Sequence, residues 1–535
     1  MEDIKQNILT EKKYKFGINK FNIQTWEDFN NFKSDKSVFI FGAGYGADYY
    51  FQNYPNSIVG IIDNDEAKHG HQIDFFVDKI SLDKCKEKKV LNVSVLKQYK
   101  EDDLVILIAN LNAAEQIAEQ LESLGISNYF SLLAMETVKR NSFVLAKEQI
   151  VNHCFLKKCT DKIEPNKLVF YTMGGYSGHG KYIAQELTKM RDDLDIVWII
   201  NDLKILKDST LQMQNGIRFV YINNKKQYVH EMKTARIWIY DDMVPFYIQK
   251  ELEQIYVQIK HWPSVTLKTF GFDLTTFRNE EAEVAVCKHN SEMMDYIITG
   301  SRFDTDTCRS GFGFQGEVIE AGSPRSDTLF NENKHRQKIC EYFNLGYDRK
   351  IVLYAPTFRA KQGVYYTPEA YETDLDYEAL VKHLHKRFSN EWTVLLRLHP
   401  VVAEASENIK LSEFVVDVSD YPDSQELVAA ADIMITDYSS IMFEPAFVRK
   451  PVFLFAPDRK DYINGERKLL INYDTLPFPI AEQNEKLAEQ IELYDEEEYT
   501  AQVDKFMEIY GVHEDGHASE RAAQFISELI DGTRS

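Results

Sequence analysis

The stretch Ile435 to Phe455, "ITDYSSIMFEPAFVRKPVFLF", reads as a buried strand, a polar turn, a short helix and a second buried strand. A continuous apolar run without alternation suits a strand covered on both faces, as in a parallel sheet. The Asp-Tyr-Ser-Ser turn then sits where a strand end meets a helix start. Free N–H groups and the helix dipole make such a start a seat for an anion. Asp437 and Ser439 are equally good helix caps. Both readings stand at this point, and the surrounding chain must separate them.

Working outward, the same pattern recurs. "KIVLYAPTF" (350–358), "WTVLLRLHP" (392–400), "EFVVDVS" (413–419), "ADIMITD" (431–437) and "PVFLFAP" (451–457) are strand-like runs separated by helical segments. An earlier series runs from "KLVFYTMGG" (167–175) through "DIVWIIND", "IRFVYIN", "ARIWIYDD", "IYVQIKHW" and "DYIITGS" to "EVIEAGS" (317–323). A third, N-terminal series contains "SVFIFGAGYGADYYF" (37–51), "SIVGIIDND" (57–65) and "DLVILIAN" (103–110). Strands alternating with helices predict parallel α/β sheets. The expected division is a small α/β domain over 1–145, a helical connector over 146–164, and two larger α/β domains over 165–335 and 336–535. "DEEEYTAQVDKFMEIYG" (495–511) and "HASERAAQFISELI" (517–530) read as closing helices.

Composition narrows the function. The 535-residue chain carries a formal net charge of −22, which argues against broad nucleic-acid binding and against attraction of the whole surface to anionic lipid. The N-terminal "MEDIKQNILTEKKYKFG" lacks the apolar core of a secretory signal, and no apolar run is long enough to span a membrane. A cytoplasmic protein is expected. Six cysteines (85, 154, 159, 287, 308, 340) form no paired framework, which suits a reducing compartment. Cys154 and Cys159 with His153 lack a second ligand pair and do not make a zinc set.

Unusual residues gather at strand ends, where ligands of such folds bind. These are His261 in "QIKHWPS", Arg325 in "GSPRSD", Thr357 and Arg359 in "LYAPTFR", Arg397 and His399 in "LRLHP", and Asp437, Ser439 and Ser440 in the opening turn. Singly, each has a packing or capping explanation. Together, two histidines, several cations and a helix start suit binding of a diphosphate and movement of a proton. The acidic pairs Asp241–Asp242 and Asp304–Asp306 resemble the metal-binding acids of metal-dependent glycosyltransferases, but so small a carboxylate set is easily met by chance. No metal is assigned.

The pieces "KHWPSVTLKTFGFD" (260–273), "GSPRSD" (322–327), "LYAPTFR" (353–359), "LRLHP" (396–400), the opening stretch extended through "APDRKDY", and "DGHASERAAQFI" (515–526) resemble, in order, the CDP-glycerol:poly(glycerophosphate) glycerophosphotransferase family of teichoic acid and capsule synthesis. The resemblance implies a GT-B fold, two facing Rossmann-like domains. It implies transfer of a polyol phosphate from a CDP-linked donor to an acceptor hydroxyl with release of CMP, and no required cofactor. By resemblance His261 is the base and His399 supports the donor phosphates. Arg325, Thr357, Arg359, Arg397, Asp437, Ser439 and Ser440 are candidates for the donor site. The implied acceptor is lipid-linked or an oligosaccharide, met by peripheral contact with the inner membrane. The family's Trp-His-Gly-Thr-Pro-Leu-Lys run appears here as Lys260 to Lys268 with the histidine and Leu-Lys kept. "YTMGGYSGHGKYIAQEL" (171–187) matches only loosely.

In the N-terminal series, Gly42, Gly44 and Gly46 open a helix after a strand, and Asp63 ends the next strand. This is the context of a dinucleotide fingerprint, with alanine at the third glycine position. A bound nucleotide and a structural or docking role are both consistent with it. The competing functions are another GT-B capsule transferase moving a sugar or sugar phosphate, an NAD-linked oxidoreductase run by the N-terminal domain, and a non-catalytic binding protein.

Overall fold

The structure is a computed structural model describing residues 24–54, 58–71, 89–140, 146–147, 149–150, 159, 161–201, 216–245, 248–273, 281–357, 360–361, 364–365, 374–398, 412–465 and 468–533. The chain divides into two compact units. The smaller comprises residues 1–161, 225–233 and 245–249, and the larger comprises 162–224, 234–244 and 250–535.

The smaller unit holds strands β1 (Ser37–Phe41), β2 (Gly60–Ile62), β3 (Val90–Leu91), β4 (Leu104–Ile108) and β5 (Tyr129–Ser131) in the order β3-β2-β1-β4-β5, all parallel. The sequence shows three of these strands. β3 and β5 are short and stand outside any long apolar run, unlike β2, which ends the run "SIVGII". Helix α1 (Tyr45–Asn53) follows the glycine turn.

In the larger unit, β6 (Glu164–Tyr171), β7 (Asp195–Ile200), β8 (Ile217–Tyr221), β9 (Ala235–Tyr240), β10 (Ile255–Gln258), β11 (Tyr296–Thr299) and β12 (Glu317–Glu320) form a parallel sheet ordered β12-β11-β10-β9-β6-β7-β8. A second parallel sheet contains β13 (Lys350–Ala355), β16 (Trp392–Leu396), β17 (Val415–Asp417), β18 (Ile433–Thr436), β19 (Val452–Phe455) and β20 (Ile480–Ala481), ordered β17-β16-β13-β18-β19-β20. A small antiparallel pair, β14 (Ala360–Lys361) and β15 (Val364–Tyr365), lies between β13 and β16 in the chain. Each of the three parallel sheets starts in its middle, builds outward on one side, then returns to build on the other. This is the doubly wound order, and its switch point lies between the first and fourth strands. The expected three α/β blocks are therefore present.

The two sheets of the larger unit define two lobes, and several of the described segments join them. Residues 266–269, just after His261, pair with 468–470: Leu470 N–H donates to Leu267 O at 2.8 Å, Thr269 N–H to Lys468 O at 3.2 Å, and Lys268 and Leu469 form an antiparallel bridge. Val265 and Leu267 are wholly buried in the core of the second lobe. Helix α2 (Gly178–Met190) follows β6, and its Lys181 and Tyr182 both bind Asp423, which caps α4 (Ser424–Ala430) in the second lobe. A third joint is the chain's own return. Helix α5 (Glu496–Tyr510) packs on the second sheet, whereas α6 (Ala518–Ile530) places Ala522, Ala523, Phe525, Ile526 and Leu529 in the core of the first. The amphipathic pattern predicted α6, but not its place on the lobe begun 350 residues earlier. Asp327 receives the N–H groups of Ala518 (3.1 Å) and Ser519 (2.7 Å) and so caps α6 from the far side of the sequence. None of the described helices is long and apolar enough to cross a membrane.

Glu514 sits in the return segment. One carboxylate oxygen meets Ser264 Oγ, and the other accepts from Ser323 N–H at 3.1 Å. Burial pushes its carboxyl up to about 7, against the opposing pull of those bonds. The folded state thus holds this proton more tightly than the unfolded chain. The associated stability is complete at acid pH, below the unfolded carboxyl's value, and is lost as pH rises through about 7. Replacing Glu514 with Gln, which mimics the protonated form, should raise the melting temperature by a few degrees at pH 8 and leave it unchanged near pH 4. Scanning calorimetry at the two pH values measures this.

Candidate functional site

The turn carrying His261 leaves β10 through Lys260, whose φ of 48° is left-handed, unusual for a side chain with a Cβ. Lys260 is almost wholly buried, and its ammonium straps its own turn. Nζ donates to Trp262 O (2.9 Å) and Pro263 O (3.3 Å) and pairs with Asp304 at 2.9 Å. Asp304 also receives Trp262 Nε1–H at 2.9 Å and Gly300 N–H at 2.8 Å. Burying both charges is costly, but here each is paired and further hydrogen bonded, the condition under which such a pair persists. The effect is to fix the backbone on both sides of His261. The His261 ring itself is exposed, with Nδ1 3.5 Å from Asp241 O.

Arg325 comes from the turn after β12. Its Nη1 donates to His261 O at 2.7 Å, and its Nη2 pairs at 2.5 Å with Glu444, a fully buried acid from the second lobe. Glu444 also accepts from Gln425 Nε2 at 3.3 Å. Asp327 stands two residues after Arg325 in the sequence, yet the structure gives Asp327 to α6 and Glu444 to Arg325.

The opening turn now resolves. Asp437 Oδ1 accepts from Thr357 N–H (2.8 Å) and Tyr438 N–H (2.6 Å). Ser439 Oγ accepts from Ile441 N–H at 3.4 Å and caps a single 3₁₀ turn, Ser440–Met442, before the five-residue helix Phe443–Phe447. Ser440 Oγ accepts from Leu267 N–H at 3.0 Å and lies 3.3 Å from Thr266 Oγ1, so it fastens the segment following His261 to the second lobe. The turn therefore caps and also ties strands and lobes together.

Asp437 has a counterpart in the first lobe. Each stands at the end of its sheet's fourth strand and accepts an N–H from the loop after the first strand. Asp241 Oδ1 receives Met173 N–H at 2.8 Å, matching the 2.8 Å from Thr357 to Asp437. Both bonds cross the switch point of their sheet, where ligands of this fold enter. Burial pushes the Asp241 carboxyl well above the usual range, with Asp242 beside it adding to the effect. The pair Asp304–Asp306 does not converge: Asp304 is buried, and Asp306, two residues on along α3 (Arg302–Phe312), is exposed.

Arg397 points its Nη1 at two carbonyls, Val418 O (3.2 Å) and Tyr421 O (2.7 Å), and so supports the loop after β17. His399 and Arg359 lie outside the described residues. Sequence reasoning passed over Glu444, Lys260 and His179; only the glycine-flanked "GHG" around His179 carried any local signal.

In the smaller unit the glycine turn is tight. Gly42 has φ 113°, and a Cβ on Gly46 would lie 1.9 Å from Ala109 O, so α1 starts hard against β4, while Gly44 faces open space. Asp63 reaches back to this turn. It accepts from Ala43 N–H (2.8 Å), Asp65 N–H (2.9 Å) and Lys68 Nζ (2.9 Å). Burial works against its ionisation, yet these bonds hold it below the usual carboxylate range. Cys159, Asp161 and His230 bring one potential ligand atom each to within 4.8 Å of one another, and Asp161 and His230 already pair at 3.0 Å.

Comparison with known proteins follows the same lines. A model of the CDP-glycerol:poly(glycerophosphate) glycerophosphotransferase family matches residues 153–528. The teichoic acid poly(glycerol phosphate) polymerase of Staphylococcus epidermidis is 29% identical over 385 residues, 69% of this chain and 51% of that protein. That of Bacillus spizizenii is 28% identical over 370 residues, 67% of this chain and 91% of that protein. The match thus spans about half of the first relative's length and most of the second's. The solved structure of the wall teichoic acid polymerase TagF superposes with a TM-score of 0.63 at 26% identity, covering 75% of this chain and 99% of that one.

Removing Arg325 should strand Glu444 without its charge partner. Arg325→Ala is expected to cost about 3–5 kcal/mol in urea unfolding of the larger unit. Adding Glu444→Gln to that variant should recover most of the loss, since the uncompensated charge is gone.

Proposed function

The chain belongs to the CDP-glycerol:poly(glycerophosphate) glycerophosphotransferase family, and we propose that it moves glycerol phosphate, or a related polyol phosphate, from a CDP-activated donor to an acceptor hydroxyl of a cell-surface polymer, releasing CMP. The observation that carries the reading is the exposed His261 ring on a turn whose backbone is fixed by Lys260, Asp304 and Arg325. A reactive side chain on a rigid support is what positioning for catalysis requires.

A neutral alcohol is a weak nucleophile at phosphorus. His261 accepts the acceptor's proton as the oxygen–phosphorus bond forms, and imidazole is the side chain whose ordinary titration lies nearest neutrality. The phosphorus–oxygen bond to CMP breaks in the same displacement, so negative charge grows on the CMP phosphate. On this reading cationic groups of the second lobe meet that charge, with His399 assigned by resemblance, Arg359 a further candidate, and Thr357, Asp437, Ser439 and Ser440 shaping the rim. Arg325 holds the base's turn, and Arg397 holds a donor-lobe loop. The reading calls for no cofactor in transfer. The acceptor is lipid-linked or an oligosaccharide, met at the cytoplasmic face of the inner membrane by peripheral contact. In the N-terminal unit, the open face at Gly44 is where a nucleotide phosphate would approach, with Asp63 beneath it.

His261→Ala should lower CMP release from CDP-glycerol by about 10²- to 10⁴-fold while calorimetric donor affinity changes little, because a base acts in the transition state and not in donor binding. Near-normal turnover, or donor affinity lost in step with turnover, would remove His261 from the role.

A further inference from the structure

His179 is a buried titratable group that the transfer reading leaves unused. It lies in the first turn of α2 and is 1% exposed. Its ring meets two backbone groups of fixed polarity. Nε2 is 2.8 Å from Trp262 O, which can only accept, so Nε2 carries a hydrogen. Nδ1 is 3.4 Å from Arg325 N, which can only donate, so Nδ1 carries its lone pair. One uncharged tautomer satisfies both. Its surroundings agree: burial first, then the charges of Lys260 and Arg325 and the neighbouring His261, hold this imidazole well below its ordinary range. The base of the helix cannot drift either. A Cβ on Gly180 would lie 3.0 Å from both Thr172 and Trp198, so α2 is seated against the sheet at that point.

A buried histidine is often only a satisfied core residue. Here the two groups it joins are the residue after His261 and the backbone of Arg325, whose guanidinium returns to His261 O. The result is a closed ring of contacts running His261, Trp262, His179, Arg325 and back to His261. We propose that His179 is a positioning residue for the transfer step, tying the turn that carries His261 to the turn that carries Arg325 and so fixing where the His261 ring stands. This role rests on the reading of His261 as the base.

The test uses the full chain with His179→Leu and His179→Gln. Leu fills volume but makes neither bond. Gln places its amide near the Nε2 position and donates to Trp262 O. kcat for CMP release from CDP-glycerol should fall about 10²-fold in the Leu variant, the penalty expected for a misplaced reacting group. Calorimetric Kd for the donor should stay within about threefold, and Gln should recover about tenfold of the lost rate. The proposal is overturned by a Leu variant with kcat near wild type, by donor affinity falling as far as kcat, or by Gln no better than Leu. If the Leu variant does not fold, nitrogen-15 spectra of labelled histidine decide the matter in the wild type, the His179 signals being those absent from the Gln variant. A ring neutral and protonated at Nε2 from pH 5.5 to 8.5 supports the tie, and a charged or Nδ1-protonated ring overturns it. A wild type that releases CMP from no CDP donor would overturn the functional reading itself, and the role with it. An active wild type with indifferent variants overturns the role alone.

Discussion

The guanidinium of Arg325 reaches in two directions at once. One nitrogen holds the carbonyl of His261 at 2.7 Å, and another pairs with Glu444 at 2.5 Å in the other lobe. Glu444 is fully buried and finds in Arg325 its charge partner, with Gln425 adding a neutral bond. A planar fork of donors spans both partners; a single ammonium could not. The position of the His261 turn is thereby coupled to the seam between the lobes. Ser440 repeats the coupling a few residues away by receiving Leu267 N–H. The stretch that follows His261 belongs physically to the second lobe, since Val265 and Leu267 sit in its core.

Behind this seam the two lobes use the same device. Asp241 and Asp437 each end a fourth strand and each bind an amide from the loop after the first. Each bond closes the gap that opens where a doubly wound sheet changes direction. The loops that it steadies are those that face a ligand in this fold. In the smaller unit the corresponding place is closed by contact instead, with Gly42 packed against Asn110 and Gly46 against Ala109.

The strands and closing helices could be read from the sequence because apolar runs and helical periodicity are local. What could not be read is where each polar side chain spends its bonds. Asp437 looked like a cap or an anion seat, and its partner amide on Thr357 is 80 residues away. Arg325 had an acid two residues on, yet it pairs with one 119 residues distant, because Asp327 is occupied with the start of α6. Lys260 carried no sign of its burial, which follows from a left-handed turn that no pattern announces. His179 carried only its glycine neighbours as a signal, and its meaning depends on two turns, 83 and 146 residues onward, meeting around it.

The proposed reaction transfers phosphorus, and not a sugar carbon, from a cytidine-linked donor. The direct measurement incubates the full chain with CDP-glycerol, CDP-ribitol and UDP-sugars in turn, following released nucleotide by chromatography and new phosphodiesters by phosphorus-31 spectra. CMP is expected from a CDP-polyol, with a phosphodiester formed in equal amount. Release of UDP from a UDP-sugar, with no CMP from either CDP donor, would contradict it.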